Sequence, residues 1–231
     1  MNCLLEAAQG AGIQFQAITL KGPGDGREVE VLHARVISDR GPDFTDESIG
    51  LLTGSTDPVY SFIGGIKHVR LGLAPLDDPS EPTFDFVLPE ARHLPLEPGT
   101  EVIPLDAVRE IVRRMFSKRI KILARVAQLA PGRVVQFAPP PPVSDAWLQP
   151  LLLKQNVKVT KLPNRLLRWK LWRLTVEHLR EQADTLGARF LDCPPDALDP
   201  DGFMRDELVR NATHGNVAFG DMLLSQIRTP S

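Results

Sequence analysis

Cysteine is almost missing from this chain of 231 residues: Cys3 and Cys193 are the only two, far apart in sequence. A pair so placed makes neither a disulfide framework nor a zinc site, so a reducing compartment suffices. Long apolar runs are missing too, and with them any stretch able to span a bilayer. The first eight residues lack the basic start and long apolar core of a signal peptide. Cytoplasmic residence is therefore the expectation. Neither charge sign is in excess: the net value is −2, which gives no general pull toward nucleic acid or an anionic membrane. Internal repeats and low-complexity tracts are absent.

What the chain does have is length enough for one large domain with its own core, and 21 prolines that punctuate it. Residues 4–11 read as a short helix closed by Gly10 and Gly12. Residues 13–20 alternate and are rich in β-formers, which predicts a strand, followed by a loop over 21–26. Residues 29–36 and the segment around Leu51 are ambiguous, with a hairpin laid over the domain as one option. Residues 58–63 form a nearly continuous apolar strand closed by Gly64 and Gly65. Phe84 to Leu88 suits a short strand or a loop that packs its aromatics. From Leu105 to Leu129 the apolar residues Val108, Ile111, Val112, Met115, Phe116, Ile120, Ile122, Leu123, Val126 and Leu129 keep helical spacing, and Pro131 and Gly132 stop them.

Residues 133–138 make a strand that runs into four prolines, Pro139 to Pro142. Asn164 to Leu186 is a second long amphipathic helix, with Asn164 as its N-cap and Gly187 just past its end. Residues 188–192 form a strand stopped by Pro194, and residues 217–227 the closing helix. This alternation predicts an α/β fold, a parallel sheet with helices on both faces, in one domain across 1–231. An irregular surface excursion is expected over about 73–100. Sites in such sheets gather at the carboxyl ends of strands, so the loops after Ile63, Ala138 and Asp192 should share an edge with His214.

His214 stands in a short polar loop just before the last helix, where a side chain titrating near neutrality suits a general base. The order of elements leading to it (strand plus Pro-Pro, long helix, the strand 188–192, then His214-x-Asn216) resembles the SGNH, or GDSL-type, hydrolases. The resemblance implies a three-layer α/β/α sandwich with a mainly parallel, flavodoxin-like sheet, and an acyl or acetyl esterase using a Ser-His mechanism. In that family the serine ends the first strand in a Gly-Asp-Ser-type turn. Later loops give a glycine and an asparagine to the oxyanion hole, and the last block places Asp three residues before His.

Carried over residue by residue, His214 matches the family histidine and Asn216 the small polar position after it. Asn211 stands where the aspartate belongs. An amide can hold the imidazole but cannot stabilise the imidazolium as a carboxylate does, a loss of roughly 10⁴ in turnover in a serine-protease triad. Asp206 and Asp192 are alternative carboxylates between which the sequence does not decide. The Gly64–Gly65 amides can approach an oxyanion closely. Ile66 falls where the asparagine is expected, so Lys67 or His68 substitutes, or the hole has one donor fewer, worth roughly 10²–10³ in turnover. No strand with a Gly-x-Ser turn stands before the first helix, so the serine is expected upstream of Met1, an internal methionine in that case.

The substrate implied is a small-molecule ester or an acylated saccharide, with no nucleic acid, metal or organic cofactor. Two other outcomes fit the same residues. One is an impaired SGNH-fold protein that binds an acyl or glycan ligand, which Asn211 and Ile66 favour. The other is an acyltransferase roofed by the 73–100 excursion.

Other residue patterns have plainer readings. His33, His93 and His178 are structural or solvent-exposed, and Cys3 is a small buried thiol. The basic run from Arg113 to Arg125 is the solvated outer face of an amphipathic helix. The Asn164–Arg173 block mixes aromatics with cations and reads as a core face with snorkelling arginines. Gly22 to Gly26 is not a P-loop, since no Lys-Ser/Thr follows, and its position would suit a second oxyanion donor.

Overall fold

In a computed structural model, the structure describes residues 2–12, 18–21, 32–36, 42–44, 46–63, 84–154, 165–211 and 214–228. At its centre is a parallel sheet of three strands in the order β4 (Val59–Ser61), β7 (Val134–Phe137), β8 (Arg189–Leu191). Val59 lies opposite Val134, and Val135 opposite Arg189. All four residues of β7 are buried, as expected of a strand flanked on both edges and both faces.

Alternate side chains of β4 go to different parts of the core. Tyr60 and Phe62 pack with α1 (Asn2–Gly10) and α6 (Val217–Arg228), whereas Val59 and Ile63 pack with α2 (Asp46–Gly54) and α3 (Leu105–Leu129). A parallel sheet with helices, the α/β class, is thus what the chain adopts.

The long helices follow their sequence periodicity closely. Helix α3 buries Val108, Val112, Phe116, Leu123 and Val126 along one stripe. It stops where Ala130 bonds back to Val126 and Gly132 takes φ of 70°. Helix α5 (Arg165–Thr185) closes with Gly187 at φ 66° and an Ala188 N–H to Ala183 C=O bond of 2.8 Å, the Schellman arrangement that satisfies a terminal carbonyl. Its expected N-cap, Asn164, lies outside the described residues.

Helix α4 (Asp145–Lys154) has no counterpart in the sequence expectations. Pro150 sits inside it, past the first turn, where proline removes a helical hydrogen bond, and that residue masked the pattern.

Three further expectations are corrected. Strand β1 (Ile18–Lys21) and strand β2 (Leu32–Val36) pair in parallel, and β2 meets β3 (Pro42–Asp43) antiparallel, so the antiparallel partner of this ambiguous segment is 42–43 and not the segment around Leu51. The segment around Leu51 is helix α2, with Leu52 buried. Part of the supposed surface excursion is core. Phe86 and Leu88 are wholly buried against α3 and α5, after the two-residue strand β5 (Phe84–Asp85), which pairs with β6 (Glu101–Val102). Residues 13–17, 22–26 and 73–83 fall outside the described residues.

The Asn164–Arg173 block departs further from expectation. Arg168 and Lys170 do not snorkel; they are 4% and 1% exposed. Lys170 Nζ bonds both oxygens of the fully buried Asp85, at 2.9 and 3.1 Å, and the carboxylate also accepts the N–H groups of Phe86 and Glu97. Arg168 bonds the Val143 carbonyl and Asp145. Cations can be buried here because the carboxylates of β5 and α4 pair with them, although Arg168 Nε is left buried without a partner.

No helix among the described residues is long and apolar enough to cross a membrane.

Candidate functional site

His214 opens a two-stranded antiparallel hairpin of β9 (Val209–Asn211) and β10 (His214–Gly215), which leads directly into α6. The register sets His214 opposite Asn211. Their side chains meet: His214 Nδ1 lies 2.9 Å from Asn211 Oδ1. An amide oxygen can only accept, so the contact places the proton on Nδ1 and leaves Nε2 with its lone pair. That is the tautomer a general base requires.

His214 is open to solvent on one side. On the other, burial lowers its pKa below the ordinary histidine value, and the positive charge of Arg210 adds to the effect. The imidazole is thus neutral at pH 7, ready to accept a proton.

Several contacts fix the hairpin. Asn216 acts as N-cap of α6: its Oδ1 accepts the Phe219 N–H at 3.3 Å, and its Nδ2 donates to the Glu207 carbonyl at 2.6 Å. Its backbone N–H donates to Leu208 O at 2.8 Å. Both ends of the Asn216 amide are therefore committed to holding the hairpin. Gly215 passes so close to Phe219 that a Cβ there would overlap the ring. On the neighbouring strand, Arg210 pairs with Glu6 of α1 at 2.7 Å, tying the hairpin to the first helix.

The hairpin hangs from the carboxyl edge of the sheet. Met204 N–H donates to the Pro142 carbonyl, and Ser144 Oγ donates to Asp206 at 2.9 Å, joining the loop after β7 to the segment before β9. The prolines after β7 shape that loop, and Pro139 O accepts the Trp172 indole N–H. Of the alternative carboxylates, Asp206 is engaged by Ser144 and Asp192 by Arg180 at 2.5 Å, so the described partner of His214 is the amide.

Gly64, Gly65, Ile66, Lys67 and His68 lie outside the described residues, as does the loop 22–26. The strand end just before them is described, and it carries a buried polar pair that the sequence did not single out. Gln136 is fully buried; its Oε1 accepts from Ser61 Oγ at 2.7 Å, and its Nε2 donates to Ile63 O at 2.8 Å. A side-chain amide on β7 thus holds the last described carbonyl before Gly64. A polar residue in an all-buried strand was the available signal.

Cys3 and Cys193 are both buried in the core shared by α1 and α6. Burial pushes the Cys193 thiol up to about 12 and raises Cys3 as well. Neither is a thiolate at neutral pH, which leaves both as packing residues.

A separate cleft of about 300 Å³ runs between α3 and α5, lined by Arg109, Val112, Leu174, Glu177, His178 and Glu181 among others. Arg109 and Glu177 bridge it at 2.9 Å. Burial lowers the pKa of His178, whose ring meets Phe116 edge-on. Among the described residues, no group of three His, Cys, Asp or Glu is arranged to hold a metal ion.

No protein-family description matches this chain, and no curated protein matches it either. Among solved structures, it is similar to a Streptococcus pneumonia protein provisionally described as a platelet activating factor. The two share 14% identity and a TM-score of 0.39, over 59% of this chain and 62% of that one. The chain therefore spans less than two thirds of that protein's length.

Proposed function

We propose that this chain is an SGNH-type ester hydrolase on a three-layer α/β/α sandwich, acting on a small-molecule ester or an acylated saccharide. The observation that carries the proposal is the 2.9 Å contact of His214 Nδ1 with Asn211 Oδ1, three residues apart on a hairpin that opens the last helix. It sets the tautomer of a solvent-reachable imidazole that burial keeps neutral.

The chemistry follows the acyl-transfer pattern. A serine in a turn leading into α1, N-terminal to Met1, attacks the ester carbonyl carbon as its proton passes to His214 Nε2. Backbone N–H groups of Gly64 and Gly65, with His68 as a further donor, would hold the oxyanion. The carbon–oxygen bond to the leaving alcohol breaks, and His214 returns the proton to that alcohol. Water then repeats the sequence, releasing the acid and restoring the serine. Arg210, bonded to Glu6, keeps the hairpin against α1, the helix that would carry the nucleophile.

A second possibility is favoured by one observation: the group beside His214 is an amide, which orients the imidazole without neutralising its charge. In that case the protein binds an acyl or glycan ligand and turns it over slowly or not at all.

Hydrolysis of a short chromogenic acyl ester separates the two. The chain as given and a version extended upstream would each be compared with its own His214→Ala variant. Activity in the extended version that His214→Ala removes supports the hydrolase. Silence in both, from folded protein, selects the binding protein.

A further inference from the structure

Helix α3 has two unlike faces. One carries Val108, Val112, Phe116 and Leu123 into the core. The other is cationic. After Glu110 no carboxylate occurs through Ala130, while Arg113, Arg114, Lys118, Arg119, Lys121 and Arg125 all fall in that stretch. Arg113 and Arg114 share Glu110 at the N-terminal end. Helix α5, by contrast, mixes its cations with Glu177, Glu181 and Asp184.

Arg114, Lys118, Lys121 and Arg125 are all exposed. Their spacing of four, three and four residues brings them within an arc of about 60° on the helix, in a line about 16 Å long. They form a straight, convex cationic crest. Ordinary solvated helices lace such a face with both signs. The chain has no surplus of positive charge to explain this one, since its net charge is −2.

We propose that this crest docks the protein on the anionic surface of a phospholipid bilayer. A straight ridge touches a plane along its whole length, so Lys118, Lys121 and Arg125 reach headgroup phosphates together, beside Arg114, which also bonds Glu110. A duplex curves away from such a ridge, and none of the four crest positions holds an aromatic for stacking on unpaired bases. The apolar residues of α3 are already used in the core, so the contact is electrostatic, without insertion. The acid-rich segment 192–207 packs with the α1–α6 side of the core and α3 with the other clusters.

The test is sedimentation of the full chain with phosphatidylcholine vesicles, with and without 30 mol% phosphatidylserine, in low and high salt. Partition onto the anionic vesicles alone, lost in high salt, is expected. Each basic residue near such a surface contributes a factor of about 5 in partition. Lys118→Gln/Lys121→Gln should therefore weaken it about 25-fold, and the charge-reversed Lys118→Glu/Lys121→Glu further. Reversing Arg92 and Arg189, two exposed cations elsewhere, controls for net charge. Unchanged thermal melting confirms that the variants fold. No partition, equal partition onto neutral vesicles, equal loss in the control, or preference for a competing 30-base-pair duplex would each overturn the proposal.

Discussion

At the scale of single residues, the most consequential choice is an amide where a carboxylate would strengthen the base. Asn211 bonds His214 Nδ1 and adds no charge. Asn211→Asp keeps the shape and supplies the counter-charge. It should raise the His214 pKa and, in a hydrolytically competent form, raise turnover by at least ~10-fold. The pH–rate profile measures both effects, since its acid limb moves to higher pH. A second residue-scale prediction concerns Lys170. Lys170→Met strands the carboxylate of Asp85, which is fully buried, and should cost about 3–5 kcal/mol in urea unfolding. Adding Asp85→Asn removes the stranded charge and should recover part of that loss. The Asn211–His214 pair was legible in the sequence because three residues separate its members. The Asp85–Lys170 pair was not, because 85 residues separate them and only the fold brings them together.

At the scale of elements, the readable parts were those with many repeats of one period. Helices α3 and α5 repeat their apolar stripe over several turns, so their limits fell where Gly132 and Gly187 predicted. Strands of two or three residues offer no period, which is why β9 and β10 passed as a loop although they carry the candidate base. Contacts between elements are equally silent. Gly220 of α6 lies against the backbone of α1, where a Cβ would overlap the Cys3 carbonyl. Backbone cannot rotate aside as a side chain can. Gly220→Ala should therefore push the two helices apart and destabilise by about 2–3 kcal/mol, despite the better helix propensity of alanine. Denaturant titration reads the cost. Ester hydrolysis reads whether the Glu6–Arg210 tie, and with it the hairpin, moves too.

At the scale of the molecule, stability should depend on pH through its histidines. Burial is the first cause of the lowered pKa values of both His178 and His214. The unfolded chain therefore takes up protons more readily than the folded one at these sites. Their contribution is intact above the unfolded value of about 6.5 and is lost as pH falls from there toward the folded values. The melting temperature should drop between pH 7 and pH 5, and His178→Gln should flatten that slope.

The direct packing of α1 on α6 has a consequence for biosynthesis. The apolar face of α1, with Cys3, Leu4, Ala7 and Ala8, is covered by residues near the other end of the chain, among them Phe219, Leu223 and Leu224. Translation proceeds at roughly 5–20 residues per second, so that face waits roughly 10–45 s for its cover to be made. During that interval it is open to chaperones or to the same face on a neighbouring nascent chain. The yield of folded protein depends on how well α1 is shielded until α6 docks on it.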